Sequence, residues 1–309
     1  MNKRELVIVG GGPAGMAAAL SASKAGIKDI LILERAPYPG GVLNQCIHTG
    51  FGLEYFGQQL TGPEYAQRFI DQIDKREIEV RTNAFVVKLT KEKEITFLIP
   101  GAIEKVSANA IIMATGCRER TREMIPVHGC RPAGVLPAGL AQQMINMHGW
   151  LPGKKALIIG SGDIGLIMAR RLTLEGTKVE AVIEIMPQSK GLARNVAQCL
   201  EDFNIPLLLE HQATEIHGKD RVERVTVNDI KKNTEFDVEC DTVLMSVGLI
   251  PENELIEQAG FELDKRTNTP LSEIKGIYTC GNCHKIYDLV DEVTIDSEKT
   301  GIKAAAFFK

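Results

Sequence analysis

LVIVGGGPAGMAAALSASKAGIKDILILE, from Leu6 to Glu34, and ALIIGSGDIGLIMARRLTLEGTKVEAVIE, from Ala156 to Glu184, are two copies of one pattern, aligned without a gap at an offset of 150 residues. Gly10, Gly12, Gly15, Gly26 and Glu34 of the first copy correspond to Gly160, Gly162, Gly165, Gly176 and Glu184 of the second. Each copy opens on a near-continuous apolar run, LVIV or ALII, as expected of a parallel strand covered on both faces. A GxGxxG turn then opens an alanine- and leucine-rich helix. Gly26 or Gly176 stands where a helix C-cap glycine belongs, and a second apolar strand ends on glutamate.

The glycines carry the chemistry. The first permits a tight turn, the second lets the backbone approach a diphosphate, and the third lets the helix lie close on the strand. Amides left unpaired at the helix start, with the positive end of the helix dipole, then favour an anion. The glutamate, 24 residues after the first glycine in both copies, can accept both hydroxyls of a ribose. One such turn alone is weak evidence, since glycine-rich turns also arise for steric reasons. Two, each in full strand-turn-helix-strand context, specify two dinucleotide-binding layers rather than two empty α/β layers.

The rest of the composition sets bounds. A chain of 309 residues fits about two domains, and 44% hydrophobic with 25% charged residues is the balance of an ordinary globular protein. A net charge of -4, with no run of lysine or arginine longer than two, gives no footprint for nucleic acid or an anionic membrane surface. Seven cysteines, an odd number, argue against a secreted disulfide framework and for a reducing cytoplasm. Asn2-Lys3-Arg4 before an apolar run imitates a signal peptide. The glycines at Gly10 to Gly12 and Pro13 interrupt that run, and its pattern recurs deep in the chain, so it is read as mature structure. No apolar stretch approaches the length of a membrane span.

Between and after the copies the chain supplies further landmarks. Gly40-Gly41-Val42-Leu43 follows the first copy. Thr61 and Glu64 form a capping box with Pro63 in the first helical turn, and EIEVRTN, AFVVKL, EITFLI and ANAIIMATG read as strands. CDTVLMSVGLIP and GIYTCGN come after the second copy, followed by a last helix around TGIKAAAFF. In this order the motifs resemble the two-dinucleotide-binding-domain flavoproteins, specifically the small thioredoxin-reductase-like group, over essentially the whole chain. The expected fold class is α/β, with two Rossmann-like dinucleotide-binding domains, the second inserted into the first. The segments GGVLNQCIHTGFG, LTGPEYA and RPAGVLPAGLAQQMIN are also similar to FAD subunits of dye-linked or oxidase-type complexes, among them sarcosine oxidase alpha-like, hydrogen cyanide synthase-like and glycerol-3-phosphate dehydrogenase-associated flavoproteins.

The resemblance implies a discontinuous FAD-binding domain over residues 1–117 and 245–309, and an NAD(H)-binding domain over residues 118–244. Its residues for FAD would be Gly10, Gly12, Pro13, Ala14, Gly15, Glu34, Arg35, Gly41, Val42, Leu43, Ala114, Thr115, Gly116, Gly281 and Asn282. Those for the nicotinamide cofactor would be Gly160, Gly162, Asp163, Ile164, Gly165 and Glu184. Glu34 and Glu184 would each hold an adenosine ribose. An acid at Glu184 disfavours NADP(H), because a phosphate charge about 4 Å from a carboxylate costs roughly 4 kcal/mol per unit charge at intermediate dielectric, about a thousandfold. The stretch IEIMPQSKG answers it with Lys190 alone.

The cysteines depart from the family pattern. Thioredoxin reductase carries CxxC before its second glycine motif, where HGCRPAGVLPAG has only Cys130. The larger disulfide reductases carry CxxxxC where GGVLNQCIH has only Cys46. Without a dithiol to relay electrons from the flavin, reduction of thioredoxin or glutathione is not expected. Cys46 beside His48 is either a singly acting thiol or a small buried residue. Cys280 and Cys283 form a CxxC without a second pair, so no metal site is assigned. Asn282 stands where the family usually has Asp.

Hydride chemistry of this kind belongs to the cofactors and needs no protein acid or base, so no catalytic side chain is assigned. The leading expectation is an electron-transferring flavoprotein subunit of a multi-subunit dehydrogenase, oligomeric, and partnered by a small iron-sulfur or cysteine-rich protein and by a dehydrogenase subunit. The chain ends soon after Asn282 without the cysteine-rich module of longer relatives, which is expected to leave electron exit to a partner. Two alternatives remain open at this point: a stand-alone NAD(P)H oxidase or reductase of peroxide, polysulfide or ferredoxin, and a non-catalytic nucleotide-binding scaffold.

Overall fold

The computed structural model describes residues 2–308, without the side chain of Asn2. The chain forms two compact units, one built from the residues up to Arg118 and from Ile250 onward, the other from Glu119–Leu249. Both crossings fall later than the sequence reading places them. Arg118 stays with the first unit, where its guanidinium donates to Glu252 at 2.9 Å and pairs with Glu254 at 2.7 Å. Residues just past Met245 stay with the second because the Ser246 amide continues its sheet, donating to the Ile159 carbonyl at 2.7 Å.

Among its described residues the first unit has a seven-stranded sheet in the order Glu79–Arg81, Ile30–Leu33, Asn2–Val9, Ala102–Met113, Glu94–Ile99 and Phe85–Leu89, with Ile277–Thr279 also pairing to Ala102–Met113. The pairs among the first four strands and the pair made by Ile277–Thr279 are parallel, and the two pairs made by Glu94–Ile99 are antiparallel. Leu6 and Ile8 enter one core and Val7 and Val9 the other. Successive side chains of a strand point to opposite faces, so a strand covered on both reads as unbroken hydrophobicity.

The helix Pro13–Lys24 is buried at every position from Ala14 to Ala22, which explains its alanines. The last helix, Val290–Ala306, lies against it so closely that a Cβ on Gly301 would run into the Ala18 carbonyl and the Ser21 hydroxyl. Full burial of Met16 and Leu20 contributes about 1.5–3 kcal/mol each. The helix Gly62–Asp74 carries both halves of its capping box, Thr61 Oγ1 accepting from the Glu64 amide at 3.4 Å and the Glu64 carboxylate from the Thr61 amide at 2.8 Å.

The second unit repeats the plan. Its parallel sheet runs Val135–Pro137, Thr242–Met245, Lys155–Ile159, Lys178–Glu184 and Leu207–Leu209. One face carries the helices Ala138–His148 and Asp163–Leu174. The other is covered by a sheet the sequence reading did not single out: His128–Gly129, His211–His217, Arg224–Asp229 and Thr234–Glu239. Ala213, Ile216, Val225 and Val227 of that sheet close over Leu157, Ile159, Val243 and Met245.

Candidate functional site: two glycine turns with buried carboxylates

In the first unit the strand Asn2–Val9 ends at Gly10, whose φ is +111°. A Cβ there would collide with the Ala114 carbonyl, and one on Gly15 would collide with the Gly10 carbonyl. These two glycines are required by close approach. Gly12 is different: a Cβ would meet only the Gly41 Cα at 3.9 Å. No side chain caps the helix that follows, and Pro13 heads it. A proline has no amide to leave unpaired, so the amides of Ala14 and Gly15 are the orphan donors of this helix start. The Gly40 amide donates to the Gly11 carbonyl at 2.8 Å, which folds the Gly40–Leu43 loop beside the turn.

Glu34 directly follows the second strand and is 6% exposed. One of its oxygens accepts from the Gly11 amide and the other from the Ala36 amide, both at 2.7 Å. The carboxylate is thus aimed at the glycine turn while each oxygen retains acceptor capacity. From the far end of the chain, Gly281 adopts φ +67° with its Cα so near the helix start that a Cβ would stand 2.6 Å from the Ala14 Cβ. The neighbouring Asn282 accepts from the Tyr287 amide at 3.1 Å and directs its Nδ2 to Cys117 Sγ at 3.6 Å. Thr115 donates to the Glu252 carbonyl at 2.7 Å, and a Cβ on Gly116 would meet open space.

The second unit builds the same turn with more intramolecular ties. Gly160 has φ +95°, and a Cβ there would strike the Ser246 carbonyl. The Gly165 amide already donates to the Gly162 carbonyl at 2.8 Å, so the amides of Asp163 and Ile164 are left at the helix start. Asp163 Oδ1 accepts from the Leu192 amide at 2.8 Å and from Asn195 Nδ2 at 2.7 Å. Glu184 is 3% exposed. Its burial alone would raise its pKa, but hydrogen bonds from the Ser161 hydroxyl and amide and the Met186 amide outweigh that and hold it below the ordinary carboxylate value.

The structure therefore brings Gly10, Gly12, Pro13, Ala14, Gly15, Glu34, Gly41 and Gly281 together around one helix start, and Gly160, Gly162, Asp163, Ile164, Gly165 and Glu184 around the other. Three of the expected residues direct their side chains elsewhere. The Leu43 side chain is buried in the core, Ile164 packs partly against the core of its own unit, and Arg35 projects to the surface. Ser161, Gly11 and Gly40 were missed. The alignment of Gly11 with Ser161 between the two copies was the signal available for the first of these.

The thiols at Cys46, Cys280 and Cys283 are buried. Cys46 donates to the Val42 carbonyl at 3.3 Å, and burial pushes its pKa up to about 12, opposite to what a thiolate nucleophile needs. Cys280 and Cys283 are both fully buried free thiols, and burial raises both. Among the described residues no helix is long and apolar enough to cross a membrane, and no group of three or more His, Cys, Asp or Glu could hold a metal ion.

Two uncapped helix starts, each at a glycine turn and each with a buried acid aimed at the turn, suit two dinucleotides. The sequence model of the pyridine nucleotide-disulphide oxidoreductases matches residues 4–303. The chain belongs to that family. Family members are FAD-dependent NAD(P)H oxidoreductases, and the two Rossmann-like units, one inserted in the other, are their fold. The chain is similar to an opine oxidase subunit of Agrobacterium tumefaciens, 26% identical over 90% of this chain and 61% of that protein. It is similar also to hydrogen cyanide synthase subunit HcnB of Pseudomonas protegens, 28% identical over 83% of this chain and 59% of that one. It spans about three fifths of the length of these curated relatives. Thioredoxin reductase of Lactococcus lactis has the same fold, with a TM-score of 0.78 at 20% identity over 98% of both chains.

Proposed function

We propose that the first unit binds FAD, that the second binds NAD(H), and that the chain is the electron-transferring flavoprotein subunit of a multi-subunit dehydrogenase, working without a redox dithiol. One observation carries the last point. At the two places where disulfide reductases of this family keep a cysteine pair, this chain has Cys46, buried with its thiol pushed up to about 12, and Cys130, exposed. Neither position offers the paired thiols that pass electrons to a disulfide substrate. The names of two relatives, which mark both as subunits, support the partnered reading. The partners that fit are a subunit that oxidises a small metabolite and a small iron-sulfur or cysteine-rich carrier, in an oligomer. Seven cysteines suit a reducing cytoplasm.

The residues fit the cofactors. The space before Gly12 is a cradle that a side chain would fill, and the Ala14 and Gly15 amides with the helix dipole favour a diphosphate in it. Glu34 would receive the adenosine ribose of FAD, and the Gly281–Asn282 turn, seated on Ala14, would border the flavin side. In the second unit the Asp163 and Ile164 amides would take the other diphosphate and Glu184 the other ribose. When bound, the two cofactors supply hydride transfer between nicotinamide and flavin. The protein's part is to orient them, and its own thiols and acids exchange no proton in that step.

The experiment is anaerobic titration of the purified yellow protein with NADH, alone and with the proteins that co-purify. Bleaching of the flavin band, with steady turnover only when a partner is present, is the expected result. Full turnover with oxygen by the lone chain, or a flavin that NADH never bleaches, refutes the proposal.

A further inference from the structure

At one position buried in both, the two glycine turns differ: Gly11 of the first corresponds to Ser161 of the second, and Ser161 is fully buried. In the first turn, Glu34 Oε2 accepts from the Gly11 amide at 2.7 Å. In the second, Glu184 Oε2 accepts from both the Ser161 amide at 3.0 Å and the Ser161 hydroxyl at 2.7 Å, and Oε1 accepts from the Met186 amide at 3.0 Å. The same hydroxyl accepts from the Lys190 amide at 3.0 Å, and the Ser161 carbonyl accepts from the Gly191 amide at 2.8 Å. One side chain ties the acid, the turn and the loop after the acid into a single network. A carboxylate oxygen accepts about two hydrogen bonds. Ser161 fills Oε2, which leaves Oε1 as the oxygen for a ribose hydroxyl.

We propose that Ser161 is a positioning residue that sharpens the choice between the two pyridine nucleotides, fixing the Glu184 carboxylate where it accepts a ribose hydroxyl and repels a phosphate on that ribose. The inference rests on the assignment of the second unit to NAD(H). A carboxylate free to turn aside forfeits the attraction and the repulsion together. With Ser161 in place it cannot turn aside without breaking the hydroxyl bond.

The test is calorimetric titration of the FAD-loaded protein with ADP-ribose and with 2′-phospho-ADP-ribose, neither of which can exchange hydride. Wild type, Ser161→Ala and Ser161→Gly are compared, the last reproducing the triple-glycine turn of the first unit. Wild type should prefer ADP-ribose by a factor on the order of a thousand. Loss of a hydrogen bond to a charged group should shrink that ratio about tenfold in both variants, chiefly by weakening ADP-ribose. Far-ultraviolet circular dichroism followed through thermal unfolding reports that each variant is folded, and Ser161→Gly carries the test if Ser161→Ala does not fold. An unchanged ratio in variants that merely melt earlier makes Ser161 structural and overturns the inference while the NAD(H) assignment stands. A wild type that binds neither ligand overturns both.

Discussion

Substituting Gly12 by alanine separates binding from folding in a way the other turn glycines do not permit. Gly12 has φ -76° and ψ -175°, ordinary extended backbone, and its missing Cβ faces only the Gly41 Cα at 3.9 Å. Alanine is a poorer N-cap than glycine by up to about 1 kcal/mol, but it also reduces the freedom of the unfolded chain by about 0.4–1 kcal/mol. The two nearly cancel. A melting temperature of the flavin-free protein within about 2 °C of wild type is therefore expected. The new methyl does, however, stand where a diphosphate must approach the Ala14 and Gly15 amides. Hydrogen bonds to a charged group contribute about 1.5–3 kcal/mol each. Losing both, at the low end, weakens binding by about 3 kcal/mol, roughly a hundredfold. Titration of the flavin-free protein with FAD, read by quenching of flavin fluorescence, measures this directly. Wild-type affinity in Gly12→Ala, or a melting temperature lowered by about 10 °C, refutes the cradle.

Other outcomes follow from the same geometry. Gly10→Ala and Gly160→Ala each force a side chain into positive φ and onto a carbonyl, so each should lose at least about 1–3 kcal/mol of stability in urea denaturation. Glu184 and Asp241 are both held below the ordinary carboxylate value; burial opposes this in each, and is outweighed for Asp241 by the Lys154 and Lys155 amides and the Thr242 hydroxyl. A depressed folded value contributes stability above the unfolded pKa of about 4 and loses it as pH falls through the folded value. Glu184→Gln and Asp241→Asn should therefore lower stability at pH 7 and flatten its decline below about pH 4, as followed by denaturation across a pH series. Iodoacetamide at pH 7.5 should label Cys130 rapidly and leave Cys46, Cys280 and Cys283 unlabelled in the native protein, as read by peptide mass spectrometry. Cys46→Ser should then leave reduction of the flavin by NADH unchanged.

The elements that local chemistry dictates were legible. The LVIV and ALII strands, the glycine turns, the Thr61–Glu64 capping box and the strands after it depend on patterns a few residues long. Gly26 and Gly176 stand just past their helices with φ +112° and +88°, as left-handed stop residues do. What the sequence hid depends on where distant segments return. The spacing of GIYTCGN does not by itself bring Gly281 to Ala14; the resemblance alone placed both at one site. Nothing in the Ser189–Leu192 stretch announces that it straps back over Ser161, or that Asp163 is engaged by Leu192 and Asn195. Leu43 is a further case: it stands beside Gly40 and Gly41 in the sequence, and the turn of the short helix Gly41–Gln45 sends its side chain into the core.

Gly301 against Ala18 has a consequence for how the protein is made. The first helix waits for its partner until synthesis has passed the whole inserted unit, since the helix that packs on it begins at Val290 and the strand Ile277–Thr279 only just precedes it. The inserted unit, a continuous run of residues, emerges whole during that interval. Closing so long a loop adds little to the equilibrium cost, because loop entropy grows only logarithmically with length, yet contacts between distant segments slow folding. Until that closure the alanine face of the first helix is exposed, and the ribosome finishes the inserted unit before the unit whose sequence it interrupts.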